Sequence, residues 1–289
     1  MEKFQSLSDF INKDNNWLIL GGTGTILIGG ITAYKLLTKR KKKSWPKDTV
    51  VLHSLDKGIW DMSLTPFAVK LETYFRLADI PYINNPTNQQ SSKKKIPWIE
   101  YNGETVADSA FIIEYLNKKL ALDLNNMHLT QTERAIGRAF SKMVEDNTYW
   151  TMVMSRWYHD IYKVDPPGLG LLGSWLLPFA ARMIYKQGWQ QGMGRHSRDE
   201  VLHIMEEDLK AVSLFLDKKK YLFGEKPCEV DCAVFGQLSQ FCWHMPGLYG
   251  ETLIHEKYPN LKDYCYRMKK AFWPELGTSA RSKQEKKST

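Results

Sequence analysis

The sequence predicts an α/β domain followed by an all-α domain, preceded by one transmembrane helix. Three features of the 289-residue chain lead to this prediction. Residues 17–37 form an apolar stretch that ends just before a run of basic side chains. Residues 49–120 alternate between β-branched runs and amphipathic stretches, which indicates mixed strands and helices. After residue 129, two capping-box sequences introduce long helical patterns.

The stretch WLILGGTGTILIGGITAYKLL at residues 17–37 carries one charged side chain, Lys35, at its end. Its length at helical rise just spans the hydrocarbon core of a bilayer. The basic residues follow the stretch rather than precede it, which is typical of a signal anchor and not of a cleaved signal peptide. The positive-inside rule then makes residues 1–16 a short non-cytosolic segment and places the C-terminal body in the cytosol. We therefore expect a single-pass membrane protein whose partner is the lipid bilayer.

Small residues recur through this stretch at i, i+4 spacing, at Gly21, Thr25, Gly29 and Ala33. Such a stripe allows two helix backbones to approach closely, so the sequence is compatible with a homodimer. It is equally compatible with the general abundance of small residues in membrane helices.

The chain ends in the tetrapeptide KKST, which resembles the dilysine retrieval signal of endoplasmic-reticulum membrane proteins. A moderately apolar anchor followed by basic residues also resembles the anchors of mitochondrial outer-membrane proteins. The sequence therefore favours the endoplasmic reticulum as the location, with the mitochondrial outer membrane as the alternative.

The net charge of +8 is concentrated in two short flanks. A basic linker at residues 38–48 and a basic tail at residues 276–289 together carry the whole excess of basic over acidic side chains. The body between them is close to electrically neutral. A basic surface for binding nucleic acid is therefore not predicted.

Four cysteines lie in the last quarter of the chain, without a CxxC pair. This pattern predicts reduced thiols and no disulfide framework. Cys228 and Cys232 are one helical turn apart, and no histidine completes a metal site with them, so we interpret them as small buried residues. The histidines of the chain are scattered, and none pairs at the spacing of metal ligands, so no metal is predicted.

Residues 49–120 predict a compact domain of strands and helices. The run TVVLHS indicates a first strand, and Pro66 starts an amphipathic stretch that indicates a helix. A second strand begins at Pro81. An Asn-Gly pair at residues 102–103 stands between two extended runs and indicates a β-hairpin with a type I′ turn, before a helix over residues 110–120. The order strand, helix, strand, hairpin, helix is that of a thioredoxin-like domain.

Three short motifs in this domain have the order and spacing of one known family. They are Thr65-Pro66-Phe67-Ala68 before the first helix, Ile96-Pro97 before the hairpin, and Asp108-Ser109 before the next helix. Here the chain resembles the N-terminal domain of glutathione transferases. Those domains carry a Ser, Cys or Tyr near a Pro-Phe, a Val/Ile-Pro with a cis proline, and an acidic or amide residue before Ser or Thr. The resemblance implies the glutathione-transferase fold, in which an all-α domain follows the thioredoxin-like one.

After residue 49 the sequence looks like the failed-axon-connections and metaxin-like branch of this superfamily. The similar stretches are TPFAVKLETYFRLADIPY, KIPWIEYNGETVADSAFIIEYL and GMGRHS. Members of the branch typically have Ser and then Pro-Phe-Cys where this chain has Thr65 and, in place of the cysteine, Ala68. Disulfide reduction by a cysteine of this domain is therefore not expected.

The resemblance implies that glutathione binds, as substrate or ligand. Ile96, beside a cis Pro97, would pair its backbone with the cysteinyl residue as an added strand does. Asp108 and Ser109 would hold the γ-glutamyl group at a helix N-terminus. Thr65 would be the catalytic residue, because its hydroxyl can donate a hydrogen bond to the glutathione thiolate. On local grounds Thr65 and Asp108 fit equally well as ordinary N-caps.

Residues 121–275 predict an all-helical domain. The segments Thr130–Glu133 and Ser197–Glu200 are capping boxes that open two long helices. The segment CEVD at residues 228–231 occupies the place of the buried capping box of transferases, and Asp231 fits its acidic position.

The stretch at residues 169–185 is unusually apolar. Pro178 and Arg182 argue against a second membrane span. A buried or dimer-forming helix is the leading interpretation, and a helix on a membrane surface or beside an apolar acceptor site is the alternative.

Two functions are compatible with these observations. The first is a membrane-anchored, cytosol-facing transferase that binds glutathione and conjugates or isomerises a lipophilic substrate. The second is a catalytically inactive interaction protein of the failed-axon-connections type, with a role in neuronal or axonal development. The hydroxyl group of Thr65 favours the first function. The presence of threonine where the branch has serine, together with Ala68 where the branch has cysteine, favours the second.

Overall fold

The computed structural model describes residues 44–57, 62–125, 128–161 and 170–276, except for the side chains of residues 170–176. All the elements below belong to one compact unit of the chain.

The membrane anchor expected over residues 17–37, with its stripe of small residues, lies outside the described residues, as does the segment 1–16. So do most of the basic linker 38–48 and of the tail 276–289. In the described part of the chain, no helix is long and apolar enough to cross a membrane. The predicted fold class is therefore corrected: the preceding transmembrane helix is not supported, and neither is the single-pass location at either organelle. The apolar stretch is rich in glycine and threonine, which makes it only moderately apolar.

Four strands form one sheet: β1 (Val50–Ser54), β2 (Tyr82–Pro86), β3 (Trp98–Tyr101) and β4 (Glu104–Ala107). Their order is β2-β1-β3-β4, with β1 parallel to β2 and antiparallel to β3, and β3 antiparallel to β4. The parallel pair requires a crossover, which α1 (Pro66–Leu77) provides. The helix α2 (Ser109–Leu120) follows β4. This is the predicted thioredoxin-like arrangement.

The β3–β4 hairpin closes through the predicted Asn-Gly turn. Asn102 has a φ of 48° and Gly103 a φ of 85°, so both central residues adopt the left-handed conformation of a type I′ turn. The side chain of Asn102 also accepts a hydrogen bond of 2.8 Å from the backbone N–H of Asp48. The turn is therefore joined to the segment that leads into β1.

The α-helices of the described part of the chain after α2 are α3 (Gln131–Lys142), α4 (Tyr149–Met154), α5 (Gly170–Gln191), α6 (Arg198–Leu216), α7 (Glu229–Trp243), α8 (Tyr249–Thr252) and α9 (Pro259–Phe272). Three π-helical segments interrupt or extend them: Met143–Thr148, Ser155–His159 and Leu253–Lys257. Short 3₁₀ turns occupy Met193–Arg195 and Pro274–Leu276. The all-helical character of this half agrees with the prediction.

Both predicted capping boxes form. The hydroxyl of Thr130 accepts from the N–H of Glu133 at 3.2 Å, and the Glu133 carboxylate accepts from the N–H of Thr130 at 2.8 Å. Ser197 and Glu200 make the same pair of hydrogen bonds, at 3.3 and 2.7 Å. These reciprocal bonds satisfy backbone donors that the first helical turn leaves without partners, and so they fix where α3 and α6 begin.

The helix α1 lies between two hydrophobic cores. Leu71, Tyr74 and Phe75 pack in the core of the α/β half, whereas Val69 packs in the core of the helical half. Contact with α7 is close because residue 236 is a glycine: a Cβ there would lie 2.6 Å from the carbonyl oxygen of Pro66. The packing of α1 on α7 therefore sets the position of the residues at the start of α1.

Candidate functional site

The strand register brings the two predicted glutathione-binding segments to the same end of the sheet. Trp98 pairs with Ala107 across the hairpin, and His53 of β1 pairs with Trp98. Pro97 precedes Trp98 and Asp108 follows Ala107, so both leave the sheet beside the C-terminal end of β1. The chain then runs from β1 towards Thr65.

The Ile96–Pro97 peptide bond is cis, as the resemblance implied. Pro97 is buried and Ile96 is half-buried at the start of β3. The backbone of Ile96 therefore lies at the edge where the predicted peptide-like contact with glutathione would be made.

Asp108 is the N-cap of α2. Its carboxylate accepts hydrogen bonds from the N–H groups of Ala110 at 3.0 Å and Phe111 at 3.5 Å. Its φ of 86° is unusual for a residue other than glycine, and such backbone strain is common at functional sites. Asp108 therefore has the ordinary N-cap role that the sequence analysis gave as the alternative to glutathione binding. Its contact with glutathione stays a prediction.

Ser109 contacts a buried ion pair that the sequence analysis missed. The Nζ of Lys70 lies 3.5 Å from the Ser109 hydroxyl oxygen and 2.5 Å from a carboxylate oxygen of Glu145. Lys70 is 4% exposed and Glu145 is 6% exposed. Charged groups are buried at a high cost in desolvation unless they are paired, so this pair at the predicted site calls for a functional explanation.

Two features of the fold place this ion pair beside α2. Lys70 is in α1, which is covered on nearly all sides, so a lysine in its middle is buried with its neighbours. Glu145 is in the π-helical segment Met143–Thr148, and π-helical segments are frequent at functional sites. Lys142 is 3.8 Å from the second carboxylate oxygen of Glu145 and adds positive charge from the surface.

A cavity of about 310 Å³ adjoins the ion pair. Lys70 and Glu145 form part of its wall, with side chains of α2, α3 and the start of α7. Glu229 at the start of α7 also lines it, and burial raises the pKa of that carboxyl group, to which nearby carboxylates add. The cavity is lined by charged groups of both signs, which suits a polar occupant rather than a hydrocarbon.

Thr65 occupies the N-cap position of α1, but its hydroxyl does not cap the helix. Its backbone provides the local contacts instead: the N–H donates to the hydroxyl of Ser63 at 3.3 Å, and the carbonyl accepts from the N–H of Ala68 at 3.1 Å. The capping alternative for the Thr65 side chain is therefore not realised. The side chain is half-buried, and its role as a hydrogen-bond donor to glutathione stays a prediction.

A buried polar chain supports the segment before Thr65. The side-chain amide of Gln240 in α7 donates to the carbonyl oxygen of Ser63 at 3.1 Å, and its oxygen accepts from the Arg156 guanidinium at 3.4 Å. Arg156 is 2% exposed, and burial lowers its pKa to about 10. No local sequence pattern marks these residues, because they are far apart in the chain and are brought together by the packing of α7.

Family comparisons agree with this architecture. A model of the glutathione S-transferase N-terminal domain matches residues 66–162, and a model of the glutathione S-transferase C-terminal domain matches residues 205–268. The chain belongs to the glutathione-transferase superfamily. The domain boundaries 49–120 and 121–275 stay predictions.

The curated relatives include the branch that the sequence indicated. The chain is 32% identical over 253 residues to "Failed axon connections" of Drosophila melanogaster, a match that covers 81% of this chain and 60% of that protein. It is 29% identical over 232 residues to isoprene-epoxide–glutathione S-transferase of a Rhodococcus species, covering 74% of this chain and 94% of that protein. Metaxin-2 of Homo sapiens is 19% identical over 247 residues, a match that covers 81% of this chain and 92% of that protein. The resemblance to the failed-axon-connections and metaxin-like branch is thus confirmed, and the chain spans about 60% of the Drosophila relative.

Solved structures share the fold. A β-etherase from Sphingobium superposes on this transferase-like chain with a TM-score of 0.55, covering 82% of this chain and 99% of the β-etherase. The sequence identity is 16%, so the similarity concerns the fold alone.

Proposed function

We propose that this chain binds glutathione and catalyses its addition to an electrophilic, lipophilic molecule, or the glutathione-dependent isomerisation of such a molecule. The superfamily membership supports this function, as does the name of the Rhodococcus relative, a glutathione transferase that acts on an isoprene epoxide. The observation that carries it is the buried ammonium group of Lys70, 3.5 Å from the hydroxyl of Ser109.

The contact between Lys70 and Ser109 suits a bound carboxylate. Ser109 is the first residue of the 12-residue helix α2, whose N-terminal N–H groups and dipole favour an anion. The Lys70 ammonium, which also pairs with Glu145 at 2.5 Å, adds a charged hydrogen-bond donor where little water competes. Glutathione carries such a group in the α-carboxylate of its γ-glutamyl residue, and we assign that group to this position.

Thr65 is the donor that the chain offers to the sulfur. Bound glutathione would supply a thiol, which becomes a strong nucleophile as the thiolate. A hydroxyl that donates a hydrogen bond to the thiolate lowers the thiol pKa, and the Thr65 hydroxyl is not used in capping. The hydrogen bond from Gln240 to the carbonyl oxygen of Ser63 helps to hold the Thr65 backbone in place.

A group of aromatic rings that includes Phe67, two residues after Thr65, supports a lipophilic acceptor. The ring of Phe67 lies 5.0 Å from that of Tyr149, and the ring of Tyr149 lies 5.6 Å from that of Trp150, measured between centroids. All three residues are half-buried, so they offer apolar surface without being wholly enclosed in the core. Such a wall binds an uncharged electrophile by burial of apolar area.

Replacing Ser109 by alanine is expected to weaken glutathione binding about tenfold, because a hydrogen bond to a charged group is lost. Isothermal titration calorimetry with the full chain measures this change. Thr105→Ala, at an exposed position of β4, is the matched control and should bind as the wild type does. Failure of the wild type to bind glutathione at millimolar concentration would overturn the proposal.

Replacing Thr65 by valine is expected to lower kcat for conjugation about 10- to 100-fold while the dissociation constant of glutathione stays within about twofold. Valine keeps the shape of threonine and removes the donor, so the pH at which the rate is half-maximal should rise. Thr65→Ser restores the donor and should restore the rate. Turnover of 1-chloro-2,4-dinitrobenzene and of styrene oxide provides the measurement.

The alternative function, a catalytically inactive interaction protein, predicts a different result in the same experiments. Ala68 is fully buried and leaves the α/β domain without a thiol at the branch's cysteine position. Glutathione binding without turnover of any electrophile by wild type or Thr65→Ser would favour an interaction protein that uses glutathione as a ligand.

A further inference from the structure

One side of the helix α5 is fixed against the rest of the protein. Ile184 packs on the core of the helical half. The ring of Tyr185 stacks on that of Tyr158, with their centroids 4.7 Å apart. Gly188 allows a close approach, since a Cβ there would lie 2.5 Å from the sulfur of Met154. These contacts determine which side of α5 faces away from the protein.

The opposite side of α5 exposes large apolar side chains. Phe179 is 71% exposed, Met183 is 63% exposed and Trp189 is 48% exposed. The sequence analysis favoured a buried or dimer-forming helix over residues 169–185, and these exposed side chains rule out a fully buried one. A single exposed apolar side chain is ordinary, whereas three on one side of a helix form the kind of patch that binds a partner.

Two basic side chains lie among these apolar ones. At about 3.6 residues per turn, Arg182 and Lys186 fall between Phe179 and Trp189 around the helix. Both basic side chains are exposed, and within the described part of the chain neither makes an ion pair. Together five residues occupy about a third of the helix circumference. We call them the outer face of α5: Phe179, Arg182, Met183, Lys186 and Trp189.

The segment that carries the outer face of α5 has no acidic residue. Between residues 166 and 198 the sequence contains four arginine or lysine side chains and no aspartate or glutamate. Arg198 pairs with Asp160 at 3.2 Å. Arg195 instead lies beside the outer face: its guanidinium carbon is 5.8 Å from the centroid of the Trp189 ring, and its Nε donates to the Trp189 carbonyl oxygen at 3.3 Å. The positive charge of this surface is therefore complementary to an anionic partner.

We propose that the outer face of α5 binds the surface of an anionic lipid bilayer, with the helix lying in the plane of the headgroups. Phe179, Met183 and Trp189 enter the boundary between headgroups and acyl chains. Arg182 and Lys186 extend their charged ends to the anionic headgroups, which their long aliphatic stems allow. The helix does not cross the bilayer, and this binding requires neither glutathione nor Thr65.

The composition of the outer face favours lipid over a protein partner. Aromatic and basic side chains without acidic ones are typical of helices that lie on membrane surfaces. Protein interfaces, in contrast, are depleted in lysine at their centre, and here Lys186 lies in the middle of the face. A second copy of this chain would also bring the same positive charges together, because a two-fold interface places one patch against itself.

A fluorescent label on α5 tests whether the outer face meets lipid. Gln190 is exposed and falls between Phe179 and Met183 around the helix, so Gln190→Cys places a thiol on this side. The environment-sensitive dye NBD will label it selectively, because the native cysteines are at most 3% exposed. In the full chain we expect a blue shift with vesicles of phosphatidylcholine and phosphatidylserine, and none with phosphatidylcholine alone.

The same dye on α6 is the control. Leu214 is 71% exposed, and the label in Leu214→Cys should not respond to either vesicle. Because the signal is local, vesicles that bind another part of the chain do not produce it at residue 190. No shift at residue 190 with anionic vesicles, or an equal shift with neutral ones, would overturn the proposal. A shift that grows with protein concentration in the absence of vesicles would also overturn it, and would assign the face to a dimer.

Substitutions on the labelled Gln190→Cys protein separate the contributions of charge and apolar contact. Arg182→Gln with Lys186→Gln should weaken binding to the anionic vesicles about 30-fold, because two basic groups near the surface are lost. Phe179→Ser should weaken it about tenfold. Leu214→Ser is the matched control, since Leu214 is as exposed as Phe179, and it should leave the vesicle titration unchanged. An unchanged titration in both α5 variants would contradict the proposed contact.

Discussion

Replacing Asp231 by asparagine is expected to lower the free energy of unfolding by about 3–4 kcal/mol. Asp231 is fully buried at the start of α7. Its carboxylate accepts hydrogen bonds from the N–H of Leu222 at 3.0 Å, the N–H of Cys228 at 2.9 Å and the hydroxyl of Tyr264 at 3.0 Å. One side chain thus joins the loop before α7, the first turn of α7 and the middle of α9.

Asparagine has nearly the same shape but cannot replace these contacts. Its amide oxygen can accept the two hydrogen bonds from Leu222 and Tyr264, but its NH₂ group would face the N–H and the thiol of Cys228, which point at the second carboxylate oxygen. Buried donors would then be left without acceptors. Urea denaturation of the full chain measures the loss.

Tyr264→Phe is the matched control for Asp231→Asn, since it removes one of the donors and leaves the carboxylate in place. It should cost about 1 kcal/mol. Equal stability losses for the two variants would show that the carboxylate is not the centre of this network.

The parts of the fold that could be predicted are those that local sequence determines. The Asn-Gly pair at residues 102–103 requires positive φ at two successive positions, and few other turns tolerate this. Thr130 and Ser197 each have a glutamate three residues later, so each capping box could be predicted from a segment of four residues. The cis proline at residue 97 was implied by the family's motif rather than by local chemistry.

The parts that could not be predicted depend on contacts between distant residues. Lys70 stands in an amphipathic pattern where a lysine normally faces solvent, and its partner Glu145 is 75 residues away. The π-helical segment that carries Glu145 has no local sequence signature, so a single uninterrupted helix was the natural expectation. Arg156 and Gln240 meet for the same reason, through packing on α7. The transmembrane helix predicted over residues 17–37 lies outside the described residues, among which no helix is long and apolar enough to cross a membrane.

Replacing Lys70 by methionine is expected to lower the free energy of unfolding by about 3–5 kcal/mol, because the charge of Glu145 is then buried without its partner. The same variant should lose glutathione binding, since the cation beside Ser109 is gone. Chemical denaturation and calorimetry on the full chain measure the two effects. Lys119→Met, at an exposed ion pair with Glu104, is the control and should change stability by less than about 1 kcal/mol.

The double variant Lys70→Met, Glu145→Leu separates a structural role from a binding role. Replacing both partners of a buried ion pair by apolar side chains of similar size removes the unpaired charge, and it often costs little stability. We therefore expect the double variant to recover most of the lost stability and to remain unable to bind glutathione. If it bound glutathione as tightly as the wild type, the ion pair would serve the fold alone, and the carboxylate of glutathione would have to be held by the N-terminus of α2 without Lys70. If it regained stability without binding glutathione, Lys70 would be a binding residue. Its role in binding would then explain why the chain buries a charged side chain here, at a desolvation cost that an apolar side chain would avoid.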